Sequence, residues 1–294
     1  MSAALASNSS PGEFTQTGHI CHSDCSEYSE YSDNEPTSAL IRKKIFKGNM
    51  EARSDHQLYR QFNTLSRFNT FIGVMLTTMV LIWCTHYRLG FAWHSDYSLQ
   101  FNWHPFLMTF GMIYMFSQTM LVYRSKRNWS KRTLKLTHAG CHFFVLICAI
   151  IGLKAVFDFH NYTSTPIPNL YSMHSWIGLT AVIIFAFQYL LGFVTFLYPG
   201  LAQEIRKFSM PIHVATGTTC FLFCVIAAFT GLTEKALFSL GDNYKKLEGE
   251  AILINFIGLL LAIFAALTLY LVNHPDYKRV AEGEEQIAIT EHTE

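Results

Sequence analysis

From about residue 68 onward the chain alternates between long apolar runs and short polar connections, and six runs reach the roughly 20 residues that a helix needs to cross a bilayer. They lie at about Asn69 to Tyr87, Trp103 to Tyr123, Leu136 to Phe157, Ser172 to Tyr198, Ile212 to Leu232 and Ile252 to Val272. Six spans of this kind predict an all-α integral membrane protein over residues 68–279. Residues 1–67 are rich in Ser, Thr, Asn and charge, are broken by Pro11, Gly12 and Pro36, and show no long apolar period. Such a stretch buries too little apolar surface to order itself, and is expected to be a mostly disordered cytosolic arm. Residues 280–294 are expected to be a short, acidic, cytosolic tail.

Charge placement sets the expected orientation. Arg42, Lys43, Lys44, Lys47, Arg53, Arg60 and Arg67 precede the first run, and Arg124, Lys126, Arg127, Lys131, Arg132 and Lys135 follow the second. The next connection on that side has Arg206 and Lys207, and the end of the last run Lys278 and Arg279, whereas the alternate connections are poor in unpaired cations. By the positive-inside rule the basic side is cytosolic, and both termini fall there. With no basic leader before a short apolar core, the first run is expected to act as the insertion signal.

Composition agrees with a membrane protein: of 294 residues, 50% are hydrophobic and only 15% charged, against about 25% charged in an average soluble domain. Formal net charge is +1, which offers no field for nucleic acid. Seven cysteines include no C-x-x-C-H, so covalent haem attachment of the c type is excluded. Cys21, His22, Asp24 and Cys25 form one short cluster without a second half, a poor tetrahedral metal set. Asn161-Tyr162-Thr163 is a glycosylation sequon on the expected outer side.

Four histidines stand near the starts of four runs: His104, His138, His174 and His213. His104 and His174 are 70 residues apart and His138 and His213 are 75 apart, so a two-helix unit occurs twice. Consecutive runs alternate direction, so the two units run parallel, with one pair of histidines level at each face. Polar side chains at bilayer depth are costly and imply a partner. A lone histidine, such as His86 or His142, can simply bond a neighbouring helix; a duplicated set of four asks for more.

Three chemistries fit unequally. A metal path needs three or four protein ligands at each level, and the ionisable residues of the runs, chiefly Lys154, Asp158 and Glu234, gather near the outer ends. A proton relay needs titratable groups through the middle, where the runs have none. Haem needs less, since the porphyrin supplies four equatorial nitrogens and two facing histidines complete an iron site in a helix bundle. The expectation is a central four-helix bundle holding two haems b non-covalently, with both axial positions filled, which suits electron transfer. A non-haem metal or proton transporter is the alternative.

Nearby residues add detail. Gly178 and Gly217 lie one turn after His174 and His213, and Gly111 two turns after His104, where a missing side chain would let a flat macrocycle approach. Pro105 and Pro211 are read as first-turn prolines. Lys131, Lys135 and His138 share one face, and Arg206 precedes His213 by seven residues, so these cations could hold propionates or a small organic anion. On the outer side, His160 and Asn161 sit in a loop without Lys or Arg, where an imidazole could take a metal or a proton.

The segments Phe101-Asn-Trp-His-Pro105, Leu121-Val-Tyr-Arg124, Lys135-Leu-Thr-His138, Tyr171-Ser-Met-His-Ser-Trp176, Met210-Pro-Ile-His213 and Gly231-Leu-Thr-Glu-Lys235 resemble the cytochrome b561 family. The resemblance covers about Arg67 to Arg279. It implies a six-helix, two-haem protein, a homodimer, passing electrons from cytosolic ascorbate across a vesicle or plasma membrane to monodehydroascorbate or a ferric chelate. It implies that His104 and His174 ligate the outer haem and His138 and His213 the inner one. It further implies that Arg124, Lys131 and Lys278 hold the inner haem, that Lys135 and Arg206 bind ascorbate, and that Asn169, Leu170, Tyr171, Ser172 and Glu234 line the outer haem. His160 resembles the outer acceptor or metal-binding histidine of ferric-reducing members. His142 resembles a second histidine that follows the inner ligand in vesicle-type members. Lys154 departs from the family, standing where an apolar residue is expected.

Overall fold

The structure, a computed structural model, describes residues 37–279; the Cys21 to Cys25 cluster and the acidic tail lie outside the described residues. The chain divides into two compact units, Met1–Glu51 and Ala52–Glu294. In the first, the described residues are the opening turns of a long helix, with Ile41, Ile45 and Phe46 exposed.

The described elements are helical throughout: α1 (Thr37–Ile82) with a π-helical end (Trp83–Tyr87), α2 (Tyr97–Gln100), α3 (Trp103–Leu107), a π-helical segment (Met108–Met115), α4 (Phe116–Ser125), α5 (Lys131–Tyr162), α6 (Met173–Phe196), α7 (Gln203–Leu240) and α8 (Gly249–Asn273), with 3-10 turns after α7 and α8. Six spans long and apolar enough to cross a membrane result: Ser54–Tyr87, Tyr97–Ser125, Lys131–Tyr162, Met173–Phe196, Gln203–Lys246 and Gly249–Asn273. Each contains one expected run or most of it. α1, however, begins at Thr37, inside the stretch read as an arm. Its first turns use Ala, Leu, Arg and Lys, good helix formers that carry no apolar period long enough to reveal them.

Side chains close the helix starts. Asp96 accepts from the backbone N–H groups of Ser98 at 2.8 Å and Leu99 at 3.2 Å, and Ser130 from that of Thr133 at 3.2 Å. Ser172 and Ser175 exchange side-chain-to-backbone bonds at the start of α6. Such caps are each worth about 1 kcal/mol. Pro211 departs from expectation, because α7 starts at Gln203 and places this proline inside the helix. The apolar run near Ile212 marks where α7 becomes apolar, not where it begins.

The core lies where the spans meet. Phe116 is its centre, edge-on to Phe185 at 5.0 Å and Phe221 at 5.7 Å between ring centres. Polar pairs decide which faces meet: fully buried Asn69, Ser117 and Thr268 join α1, α4 and α8, with Asn69 to Thr268 at 3.2 Å and Ser117 to Thr268 at 2.8 Å. Interhelical bonds of this kind contribute only about 0.6 kcal/mol each in a membrane, so they set alignment while packing supplies most of the stability. At the other end of α1, Trp83 Nε1 donates to Glu250 Oε1 at 2.7 Å, and the Arg88 guanidinium pairs with the same carboxylate.

Candidate functional site

Two histidine pairs form, one toward each end of the bundle. His104 near the start of α3 faces His174 in the first turn of α6, with ring centres 6.0 Å apart. His138 in α5 faces His213 in α7 at 6.2 Å. In each pair one ring comes from the first two-helix unit and one from the second, as the sequence repeat requires.

Bonds inside each unit hold the rings. His104 Nδ1 lies 3.1 Å from the Gly152 carbonyl of α5, and His138 Nδ1 lies 3.2 Å from the Thr119 carbonyl of α4, so the second and third spans tie each other's histidines. His174 Nδ1 lies 2.8 Å from the Ala227 carbonyl of α7. Gly152 and Ala227 are 75 residues apart, the offset of His138 and His213, so the duplication extends to these acceptors. A carbonyl can only accept, which puts the proton on Nδ1 and leaves the Nε2 lone pair of each ring free for an electrophile. A second bond of this type is what fixes a metal-ligating imidazole's tautomer and orientation.

Glycines crowd against the rings from the facing helix. A Cβ on Gly231 would fall 2.5 Å from His174 Cε1, and one on Gly192 would fall 3.0 Å from His213 Cε1. These are not the glycines expected from the sequence. Gly111 instead meets Cys148, where a Cβ would fall 2.7 Å from the Cys148 Cβ, and so allows the second and third spans to pack. Gly217 has its nearest neighbour, Gln188 Nε2, at 3.6 Å from a built Cβ, while Gly178 does line the cavity beside His174. Register along one helix locates a histidine's own face; a ring is crowded by the helix across from it.

A cavity of about 530 Å³ surrounds the His104–His174 pair, walled mainly by apolar side chains from several spans. Asn169, Leu170, Tyr171, Ser172, Glu234 and His160 all border it. Ser172 Oγ donates to Glu234 Oε2 at 3.2 Å, and Asn169 Nδ2 donates to Asn161 Oδ1 at 2.8 Å, which brings Asn161 to the rim. Leu170 holds a left-handed backbone with φ 55°, which costs a non-glycine residue roughly 1 kcal/mol or more. Its carbonyl accepts from Trp176 Nε1 at 2.9 Å. Burial, and then the Glu234 carboxylate, push the Tyr171 phenol above its ordinary range and keep it a neutral donor.

The family profile described as eukaryotic cytochrome b561 matches residues 103–239. The human transmembrane ascorbate-dependent reductase CYB561 is 42% identical over 219 residues, covering 74% of this chain and 86% of the relative. The chain belongs to the eukaryotic cytochrome b561 family. The bovine CYB561 reductase is 41% identical over 219 residues, with 74% of this chain and 85% of the relative covered. The plasma membrane ascorbate-dependent reductase CYBRD1 of Xenopus laevis is 43% identical over 215 residues, covering 72% and 74%.

The remaining candidate residues of this family member divide at the His138–His213 end. Lys135 reaches the Phe196 carbonyl at 2.9 Å, a cation at the C-terminal end of α6 where the helix dipole is negative. Arg206 is half-buried, and its Nε has no hydrogen-bonding partner among the described residues. Arg124 donates to the carbonyls of Val272 and of His274, the latter at 2.6 Å, at the end of α8. Lys131 and Lys278 are exposed. Tyr277, fully buried against Phe62 at 5.3 Å, locks the segment after α8; burial, and then its bond with Tyr270, push its phenol up to about 12.

His142 lies one turn from His138, with ring centres 4.4 Å apart, wedged between Phe116 and Phe185, and its Nδ1 is unpartnered. His86 is exposed and packs edge-on to Tyr87. Lys154 turns away from the cavity toward Asp158, with Nζ to Oδ2 at 2.8 Å, and Asp158 also accepts from Gln100 Nε2 at 2.8 Å. Sequence reading missed Thr119, Gly152, Gly192, Ala227 and Gly231. Backbone acceptors leave no residue-type signal, and the 75-residue offset between Gly152 and Ala227 emerges only from the bonds they accept.

Proposed function

We propose that the chain is an ascorbate-dependent transmembrane oxidoreductase that takes electrons from ascorbate at the His138–His213 end and delivers them to an acceptor at the His104–His174 end. The observation that carries this reading is the spacing within the two histidine pairs. Two metal–imidazole bonds of about 2 Å plus two ring radii of about 1 Å require ring centres about 6 Å apart, which 6.0 and 6.2 Å meet. Three of the four rings also have Nδ1 on a backbone carbonyl, and the 530 Å³ apolar cavity suits a flat macrocycle. The relatives' names, ascorbate-dependent reductases, support the donor.

His104 and His174 would hold one haem b, and His138 and His213 the other. When bound, haem supplies a one-electron couple with no open coordination position. The chain's own residues do the rest. Lys135 and the half-buried Arg206 guanidinium would dock the ascorbate monoanion, whose enolic proton leaves to cytosolic water as the electron departs, giving monodehydroascorbate. Asn169, Ser172 and the neutral Tyr171 would orient the anionic edge of the outer group. His160 at the cavity border, with Asn161 at the rim, would meet the acceptor, monodehydroascorbate or a ferric chelate. The basic connections support a cytosolic location for both termini, in a secretory or endolysosomal vesicle or in the plasma membrane, as a homodimer.

Lys135→Ala is expected to raise the apparent KM for ascorbate about tenfold, since hydrogen bonds to charged groups contribute about 1.5–3 kcal/mol. Reduction by a small neutral donor should hardly change; equal losses with both donors would count against docking. Replacing the pair together, Lys154→Leu with Asp158→Asn, is expected to leave haem content and both midpoint potentials unaltered, because the two charges cancel outside the cavity. Sealed vesicles preloaded with ascorbate test the whole reading. Reduction of external acceptor should depend on internal ascorbate, and comparing ferric chelate with monodehydroascorbate identifies the acceptor.

A further inference from the structure

Lys235 is the only Lys or Arg among the residues that line the His104–His174 cavity. Its Nζ lies 4.0 Å from the centre of the Phe101 ring and 5.9 Å from that of Phe159. The carboxylates near it are committed to other donors: Glu234 accepts from Ser172, and Glu250 accepts from Trp83 and pairs with Arg88, a pair of no net charge. Among the described residues no oxygen accepts a hydrogen bond from the Lys235 ammonium. Ring faces balance part of its charge, but they leave the three N–H donors without acceptors. In an apolar cavity the group that satisfies both needs is an anion, and a carboxylate on an ammonium is the strong form of that bond.

We propose that Lys235 is a carboxylate-binding residue of this cavity, and that its charge raises the reduction potential of the iron held by His104 and His174. The inference rests on the haem reading above. Reduction adds an electron to the site, and a cation at a separation on the order of 10 Å in a medium of effective dielectric about 20 favours the reduced form by roughly tenfold. The carboxylate can belong to a porphyrin propionate or to an organic acid that enters from the outer side. Phe101 precedes His104 by one turn, which sets the ammonium beside the ligand pair.

Spectroelectrochemical titration of the purified, haem-loaded full chain tests this, first without any organic acid. Lys235→Met is expected to lower one of the two midpoint potentials by about 59 mV, which is tenfold for one electron. The other potential should stay fixed as an internal control, and Lys235→Arg should restore the first. A shift that added succinate leaves unchanged assigns the carboxylate to a propionate; one that succinate diminishes, by neutralising the ammonium in the wild type, assigns it to a soluble acid. Lys235→Gln takes the place of the methionine variant if that one does not assemble. Two unmoved potentials, with and without succinate, in a variant that keeps both haems would overturn the role of Lys235 and leave the haem reading intact. A wild-type protein without haem would overturn that reading instead.

Discussion

Alanine at His138 or at His213 is expected to halve the haem content of the purified protein, from two per chain to one, while leaving the spectrum of the remaining haem unchanged. Either change removes one of two facing rings, and the other pair is built from separate turns of the same four spans, with its own carbonyl partners. The functional consequence should be one-sided. In sealed vesicles the surviving haem at His104–His174 should no longer be reduced by ascorbate on the His138 side, yet should still be reduced by a strong membrane-permeant reductant. Pyridine haemochrome content and absorbance spectra give the answer. Full haem content and unaltered spectra in both variants would reject the pairing of His138 with His213.

Gly231→Ala is expected to empty the other site although no histidine is touched. The added Cβ would lie 2.5 Å from His174 Cε1 and 2.7 Å from Nδ1, contacts no side chain tolerates. The ring cannot simply swing aside, since its Nδ1 is bonded to the Ala227 carbonyl at 2.8 Å. Overpacking costs about 1–3 kcal/mol, and disturbing the groups that orient a metal-binding histidine typically lowers affinity about 10- to 100-fold. Gly217→Ala is the control, because its Cβ meets nothing closer than 3.6 Å. It should keep both haems. If Gly231→Ala also kept both with full affinity, the close approach of Gly231 to His174 would play no part in holding the ring.

The four histidines, their pairing across a duplicated two-helix unit and the six spans were legible in the sequence. Each is written in residue type and spacing, and membrane spans are the strongest pattern a chain can carry. The supports of the rings were not. Thr119, Gly152 and Ala227 act through carbonyls that every residue owns, and Gly192 and Gly231 act across helices, where distance along the chain says nothing. Arg124 shows the same limit: the family resemblance implies a haem contact for it, and nothing in the sequence marks the bonds its guanidinium donates to carbonyls at the end of α8. The start of α1 at Thr37 and the interior position of Pro211 escaped because apolar runs mark bilayer depth and not helix length.

The central claim is that each facing pair of imidazoles clasps iron porphyrin, one pair toward each membrane face. Haem quantification of the purified protein, expressed with ample haem supply and paired with its ferric-state spectrum, tests this most directly. Two low-spin haems per chain, both reducible by ascorbate, are expected. A colourless preparation, or iron in the high-spin state with an open axial position, would contradict it.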